Sequence, residues 1–263
     1  MFYRVLTAVV LAPLVLWAVL TVSTFWFAVI FAVISLLALH EWIKLVKGGR
    51  ALFLTCGLIM LGLMGVGYFY PDVLYPVAVV GALFWTVQLC LLFKPVANAP
   101  QWMQCVTAVS VLYFSWSALV WMHQYPVLGA KVVVGFLLII WCADTFALFA
   151  GKAFGRHKLA PSISPGKTIE GVVGGAIAAV LVALIFAFVF LPFSQTEIMA
   201  WSALAFFAAL ISVVGDLFES RAKRRAGAKD SGRLLPGHGG VLDRVDGLIA
   251  AAPFFAAILR WVL

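Results

Sequence analysis

An uncharged run of 35 residues, 5–39, reads VLTAVVLAPLVLWAVLTVSTFWFAVIFAVISLLAL. A helix that crosses a bilayer needs about 20 apolar residues at a rise of about 1.5 Å per residue, so this run is too long for one crossing. The polar residues 21–24 (TVST) divide it into two predicted spans. No convincing cleavage site follows the first of them, so we expect it to stay as an uncleaved helix.

Seven further apolar runs complete a prediction of nine transmembrane helices. They lie at about 51–70, 73–93, 102–122, 132–150, 171–192, 198–218 and 241–262. The predicted fold class is all-α: a polytopic membrane protein with about nine transmembrane helices and two cytoplasmic catalytic loops. We expect N-terminal transmembrane helices in 1–140, up to the start of the sixth span, and a catalytic membrane region in 141–263.

The composition agrees with a membrane location. The chain is 65% hydrophobic and 11% charged, with a mean hydropathy of +1.13, whereas a soluble domain is about 45–50% apolar and about 25% charged. One soluble core of this size cannot bury that excess. The composition therefore excludes an ordinary soluble domain, a disordered chain and a disulfide scaffold.

The net charge of +8 is explained by topology. Every Lys and Arg except Lys131 and Arg260 falls at the N-terminus or in a loop after an even-numbered predicted span. Because loops rich in Lys and Arg stay on the cytoplasmic side, we expect these loops in the cytoplasm and the chain in a bacterial inner membrane. Nucleic acid is not expected as a partner.

Most polar residues concentrate in two segments, 151–170 and 216–246. In the second segment, Asp216 and Glu219 are three residues apart at the end of the eighth predicted helix. Asp243 and Asp246 repeat this spacing at the start of the ninth, so each pair shares one helix face. Carboxylates at a membrane boundary are costly unless they are paired or bind a metal, and Mg²⁺ prefers carboxylates together with substrate phosphates.

The segment 151–170 contains Gly166-Lys167-Thr168, which invites comparison with a phosphate-binding P-loop. The comparison fails, because Pro161 stands where the first glycine of that motif belongs and a membrane helix, rather than a strand, precedes it. We expect instead that Thr168 caps the seventh helix, whose N-terminus offers N–H groups to a phosphate beside Lys167.

Three titratable residues outside these two segments, Asp144, His40 and Glu41, are also candidates for a polar role. Asp144 is the carboxylate well inside a span, about two turns before Gly151. Ionisable residues inside membranes are functional candidates, and we expect Asp144 to face the pocket formed by the two segments. An interhelical hydrogen bond and a transport role are its alternatives. His40 and Glu41, at the end of the second predicted helix, are interpreted as interfacial polar residues.

Residues 220–246 resemble the motif of a known family. The matching segments are 220–230 (SRAKRRAGAKD), 235–246 (LPGHGGVLDRVD), 215–219 (GDLFE), 143–145 (ADT), 158–161 (KLAP) and 164–171 (SPGKTIEG). On these residues the chain resembles the phosphatidate cytidylyltransferases, also called CDP-diacylglycerol synthases. The resemblance covers roughly 141–250, and the N-terminal half matches only as generic spans.

The resemblance implies an enzyme, a nucleotidyltransferase that converts CTP and phosphatidate into CDP-diacylglycerol and pyrophosphate at the cytoplasmic leaflet. It also implies Mg²⁺, a nine-helix fold and a homodimer, with a second cation such as K⁺ left open. The expected metal ligands are Asp216, Asp243 and Asp246. The other expected catalytic residues are Lys223, Arg224, Lys229, Asp230, His238 and Arg244. The expected substrate-binding residues are Asp144, Lys167, Ser220, Gly239 and Gly240.

Two other classes of protein remain as alternatives. A transporter would place its ionisable groups near the midplane and use broken helices in matching halves, whereas the carboxylates here lie mostly at helix ends on one side. A related CTP-using polyprenol or phytol kinase would release CDP rather than pyrophosphate. Product analysis separates that kinase from a cytidylyltransferase.

Overall fold

Helices form almost all of the regular structure. The computed structural model describes residues 2–92, 99–232, 234 and 239–262, with side chains from residue 12 onward. Within those residues the helices are α1 Phe2–Thr21, α2 Thr24–Leu45, α3 Arg50–Phe69, α4 Leu74–Leu91, α5 Gln101–His123, α6 Gly129–Phe154, α7 Ile169–Phe190, α8 Gln195–Arg225 and α9 Leu242–Leu259. A short 3₁₀ turn, Pro71–Val73, joins α3 to α4, and a hairpin of β1 Lys158–Ala160 and β2 Ser164–Thr168 joins α6 to α7.

Seven of the described helices are long and apolar enough to cross a membrane, namely α2, α3, α4 with its preceding turn, α5, α6, α7 and α8. The part of α1 with described side chains, Ala12–Thr21, is apolar but shorter. The first turns of α9 carry Asp243, Arg244 and Asp246. The prediction of an all-α polytopic membrane protein is confirmed.

The predicted C-terminal ends of two helices are wrong, because both helices are longer than expected. We expected the sixth span to end at residue 150, but α6 continues to Phe154; we expected the eighth to end at 218, but α8 continues to Arg225. Helices can extend beyond the apolar core of a bilayer, where charged residues are tolerated. Consequently Ser220, Lys223 and Arg224 project from a helix rather than from a loop.

The segment 151–170, expected as a loop, contains the β1–β2 hairpin. The strands pair antiparallel, with Lys158 opposite Thr168 and Ala160 opposite Ser164. The expected cap is confirmed: Thr168 Oγ1 accepts a hydrogen bond from the backbone N–H of Gly171 at 3.1 Å. The hairpin thereby places Lys167, at the end of β2, beside the start of α7.

Small residues allow the helices of the C-terminal half to approach closely. A Cβ added at Gly175 of α7 would lie 2.6 Å from the carbonyl oxygen of Ala143 in α6. A Cβ added at Gly215 of α8 would collide with the carbonyl oxygen of Asp246 in α9. Backbone contacts of this kind are typical of helix packing in membranes. They set α6 against α7 and α8 against α9.

Helix α9 lies at the centre of the bundle, where it packs against α4, α5 and α8. Residues 247–253 of α9 are all buried. Farther along, the Phe255 ring contacts the rings of Phe136 in α6 and Trp201 in α8, with centroids 5.0 and 5.1 Å apart. The burial of α9 on several sides fixes its N-terminal carboxylates relative to α8.

The helix ends meet at two opposite faces of the bundle. One of these faces, which we call the site end, is where α2, α6 and α8 end and where α3, α7 and α9 begin. At the other face lie the two basic residues that depart from the charge pattern. Lys131 Nζ donates to the carbonyl oxygen of Phe190 at 3.4 Å, and the Arg260 guanidinium lies 4.8 Å from the centre of the Tyr75 ring. Both cations therefore have partners within the protein.

Gly175→Leu should push α6 and α7 apart, because the added side chain meets the backbone of α6 at Ala143. Overpacking of this kind typically costs about 1–3 kcal/mol. We therefore expect a lower apparent Tm of the purified protein in detergent. Gly62→Leu is the matched control, since nothing lies within 4 Å of a Cβ added there. Equal unfolding temperatures of the two variants would contradict this packing.

Candidate functional site

Four elements place charged side chains together at the site end. The ammonium group of Lys167, at the end of β2, forms an ion pair with Asp216 Oδ2 of α8 at 2.6 Å. Asp144 of α6 is within Coulombic range of both. Asp246 of α9 is within Coulombic range of Asp144 and Asp216. Predicted site residues that are up to 102 positions apart in the sequence thus lie in one region.

Asp144 is accessible and lies close to the start of α9. Its side chain is exposed although it lies well inside α6. Toward α9, a Cβ added at Gly247 would lie 3.8 Å from Asp144 Oδ2. The role of Asp144 in a substrate pocket stays a prediction.

Lys223 joins α8 to the start of α9. Its ammonium group lies 2.8 Å from Glu219 Oε2, one turn earlier on α8, and 2.6 Å from Asp243 Oδ1. The side chains are largely buried, with exposed fractions of 12% for Lys223, 2% for Glu219 and 7% for Asp243. Removing one partner from such a buried group is costly, because it leaves the opposite charge away from water without compensation.

Asp243 also holds the chain that precedes α9. Its Oδ2 atom accepts hydrogen bonds from the backbone N–H groups of Ser231 at 2.9 Å and Gly240 at 2.8 Å. The Ser231 hydroxyl lies 2.9 Å from the same oxygen. Both carboxylate oxygens of Asp243 are therefore engaged within the protein.

The expected phosphate-binding residues lie around this cluster. Arg224 is exposed on α8, and its Nε donates to the carbonyl oxygen of Ile163 in the hairpin at 3.4 Å. Lys229 and Asp230 are exposed after α8, and Arg244 is exposed on α9. Ser220 is buried and donates its hydroxyl to Asp216 Oδ1 at 3.2 Å, so it orients a carboxylate in the structure.

The glycines before α9 have different structural roles. Gly239 has φ +86°, a left-handed conformation that favours glycine. A Cβ added there would also lie 2.7 Å from Asp243 Oδ2. Gly240 would collide with Glu41 and Ser231 if it carried a Cβ. The expected catalytic residue His238 lies outside the described residues, as do Arg233 and the neighbouring residues 235–237.

Glu41 belongs to this site, and its interpretation as an interfacial polar residue is wrong. The side chain, on α2, is only 5% exposed. Its two oxygens accept hydrogen bonds from the backbone N–H groups of Val241 at 3.0 Å and Leu242 at 2.8 Å, and from the Ser231 hydroxyl at 3.0 Å. Nothing in the local sequence around Glu41 signals these contacts, which span about 200 positions.

The N-terminus of α7 offers less to a phosphate than expected. The N–H of Gly171 donates to Thr168, and the N–H of Ile169 donates to the carbonyl oxygen of His157 at 2.9 Å. The Glu170 carboxylate, in the first turn, accepts from His157 Nδ1 at 2.6 Å. These contacts close the hairpin onto α7 and leave fewer of its first N–H groups for a phosphate.

Five carboxylates come together from α6, α8 and α9, namely those of Asp144, Asp216, Glu219, Asp243 and Asp246. Lys167 and Lys223 form ion pairs with three of them: Asp216, Glu219 and Asp243. Glu219 Oε1 is buried and lacks a hydrogen-bond donor among the described residues.

Carboxylate oxygens of this kind suit a hard divalent cation such as Mg²⁺, which is usually held by one or two carboxylates together with substrate phosphates. Within residues 12–92, 99–232, 234 and 239–262, no three Asp, Glu, His or Cys side chains already surround one point. Lys167 and Lys223 contact oxygens of Asp216 and Asp243 in this arrangement. Glu219 is the carboxylate of this cluster that was not among the expected site residues.

Comparison with known proteins identifies the family to which the chain belongs. The sequence model of the cytidylyltransferase family matches residues 2–262. The chain is 35% identical to the phosphatidate cytidylyltransferase of Haemophilus influenzae, over 99% of both chains. It is 34% identical to that of Pseudomonas aeruginosa, over 97% of this chain and 96% of the relative, and 32% identical to that of Thermotoga maritima, over 95% and 93%. The chain therefore belongs to the cytidylyltransferase family and is a nucleotidyltransferase.

Proposed function

We propose that this nucleotidyltransferase transfers a cytidylyl group from CTP to phosphatidate, which yields CDP-diacylglycerol and pyrophosphate for phospholipid synthesis. The observation that carries the proposal is the meeting of Asp144, Lys167, Asp216 and Asp246 from four elements at one end of a membrane-spanning bundle. A water-soluble nucleotide and the phosphate of a membrane lipid can both reach that position.

The chemistry needs positioning and charge neutralisation more than a base. A phosphate oxygen of phosphatidate forms a new bond to the α-phosphorus of CTP. The bond between the α-phosphorus and the bridging oxygen breaks, and pyrophosphate leaves with the electron pair. Because the attacking oxygen is already anionic, no proton has to be removed, and the barrier falls through alignment and electrostatics.

The basic groups of the site are placed to neutralise phosphates. Lys167, at the end of β2, contacts Asp216, and Lys223 is largely buried between α8 and α9. In the proposal Arg224, Lys229 and Arg244, all exposed around the cluster, bind the triphosphate or the leaving pyrophosphate. His238 and the Gly239-Gly240 backbone belong to the same proposed anion site. Asp230 lies beside Gly239 and is proposed to orient these bases.

Magnesium is proposed to bind Asp216, Asp243 and Asp246, where it would supply charge neutralisation for the phosphates. Asp216 would hold the cation through the oxygen that now contacts Lys167, and the Lys167 ammonium group would then face a phosphate oxygen. Asp243 can contribute its Oδ1 atom if Lys223 keeps only Glu219 as its partner. A second cation such as K⁺ is a further part of the proposal.

The lipid is proposed to enter sideways from the bilayer. The site-end half of α6 exposes Phe146, Leu148 and Phe149 next to Asp144. Apolar side chains beside a polar cleft suit a ligand with a charged headgroup and acyl chains. The concentration of Lys and Arg at the site end supports a cytoplasmic orientation in a bacterial inner membrane. Assembly as a homodimer rests on the family resemblance.

Purified protein with labelled CTP and phosphatidate tests the proposed reaction. We expect equal amounts of CDP-lipid and pyrophosphate when Mg²⁺ is present, and a loss of both products when EDTA removes it. Restored turnover on adding Mg²⁺ controls for damage to the protein. Release of CDP with a phosphorylated lipid would indicate a kinase, and no CDP-lipid under any metal condition would overturn the proposal.

Asp246→Asn should lower Mg²⁺-dependent turnover by more than about 100-fold, because it removes a proposed metal ligand of the carboxylate cluster. The variant keeps the size of the side chain, so we expect unchanged elution and thermal unfolding. Asp72→Asn, in the turn at the opposite face, is the matched control. Turnover of Asp246→Asn near that of the control would contradict the metal assignment.

Lys167→Ala should lower kcat/KM for CTP and phosphatidate by about 10- to 100-fold, the usual loss for one charge-assisted hydrogen bond. Initial rates over a range of both substrates measure it. Lys152→Ala removes an equal charge from the last turn of α6, where the side chain is exposed, and should leave the rates near those of the wild type. Equal losses in both variants would mean that only the general positive charge matters.

A further inference from the structure

The carboxylate of Glu41 is enclosed by the chain that runs from α8 to α9. Oε1 accepts from the N–H of Val241 at 3.0 Å, and Oε2 accepts from the N–H of Leu242 at 2.8 Å. The first N–H groups of a helix lack partners within the helix. Val241, the N-cap residue of α9, supplies no side-chain cap. Glu41 thus caps α9 from a different helix, at the end where the helix dipole favours a negative charge.

Backbone and glycine surfaces shape this enclosure for a carboxylate. A Cβ added at Gly232 or Gly240 would collide with an oxygen of Glu41. The two glycines lie on either side of the segment that contains His238. Only a chain without side chains at both positions can close this tightly around the Glu41 oxygens.

Ser231 links this enclosure to the catalytic cluster. Its hydroxyl lies 3.0 Å from Glu41 Oε2 and 2.9 Å from Asp243 Oδ2. The single hydroxyl proton can be donated to one of these oxygens at a time. Asp243 in turn binds Lys223. One hydroxyl therefore separates Glu41 from the cluster that is proposed to bind the metal and the phosphates.

We propose that Glu41 is a positioning residue for cytidylyl transfer. It fixes the two ends of the segment 231–242, and through them the orientation of Asp243 and the Gly239-Gly240 backbone toward the triphosphate of CTP. The inference rests on the proposed function for its substrate, and on the described hydrogen bonds for its geometry. Glu41 itself does not touch the reacting atoms.

The negative charge of Glu41 is central to this role. Hydrogen bonds to an ionised acceptor are roughly twice as strong as neutral ones, and a carboxylate can accept from all three donors at once. An amide in its place would present an NH₂ group to one of the backbone N–H donors. Glu41→Gln therefore keeps the volume but removes at least one acceptor from the enclosure.

Two measurements on Glu41→Gln test the proposal. We expect the amides of Val241 and Leu242 to exchange hydrogen for deuterium about 10- to 100-fold faster than in the wild type, the loss expected for one strong hydrogen bond. We also expect a raised KM for CTP together with a lower kcat. A purely structural loss would reduce the amount of active enzyme, and so Vmax, without changing KM.

His40→Gln is the matched control, because the neighbouring His40 ring packs against Phe53 of α3, with centroids 5.1 Å apart. It should retain the wild-type KM and exchange rates. Glu41→Asp keeps the charge on a shorter side chain, so its KM for CTP and its exchange rates should lie between those of Glu41→Gln and the wild type.

If Glu41→Gln does not fold, the same two measurements are made on Glu41→Asp and Ser231→Ala. We expect both quantities to rise in these variants as well.

A KM for CTP within twofold of the control would overturn the proposal, whether or not the amides exchange faster. Unchanged exchange at Val241 and Leu242 would overturn it as well. A wild-type protein that forms no CDP-lipid would contradict the proposed function instead. In that case the exchange measurement would still decide whether Glu41 holds this segment.

Discussion

Lys223 lies between Glu219 and Asp243, and this largely buried contact joins α8 to the start of α9. Carboxylates at the end of a membrane bundle lose part of their hydration, and each must find a cation or a donor that replaces water. Lys223 does this for two carboxylates at once and thereby fixes the angle at which α8 meets α9. The close approach of Gly215 to the backbone of Asp246 completes that junction.

The acidic residues of the site divide into two groups by their contacts. Glu41 and Asp243 accept several hydrogen bonds each and hold the segment before α9. Asp144, Asp216 and Asp246 retain more freedom to bind a ligand, since Asp144 is exposed and the described partners of Asp216 are Lys167 and Ser220. The first group gives the site its shape, and Asp243 from this group joins Asp216 and Asp246 of the second as a proposed ligand of the cation.

The sequence alone predicts the helices well because nearly every apolar run is long enough to span a bilayer. It also identifies most charged residues of the site, since intramembrane or boundary carboxylates are costly and therefore conspicuous. The end of α8 is missed because hydrophobicity marks where the lipid ends, whereas the helix continues through 219–225 with charged partners. The β1–β2 hairpin is missed because its strands are short and include Pro165 and Gly166.

Glu41 could not be assigned from sequence for a different physical reason. Its role arises from tertiary packing, which brings α2 against the start of α9, and its donors are mostly backbone N–H groups that carry no residue signature. A resemblance confined to the C-terminal half likewise gives no reason to examine α2. The N-terminal helices therefore contribute directly to the site, beyond anchoring the chain in the membrane.

We propose that the carboxylates of α8 and α9 form one cation site beside the lysines. Crystals grown with CTP and Mn²⁺ in place of Mg²⁺ test this proposal through the anomalous signal of the metal. We expect a peak about 2 Å from oxygens of Asp216, Asp243 and Asp246. A metal that is bound only by the triphosphate, or by protein groups elsewhere, would contradict the proposed site.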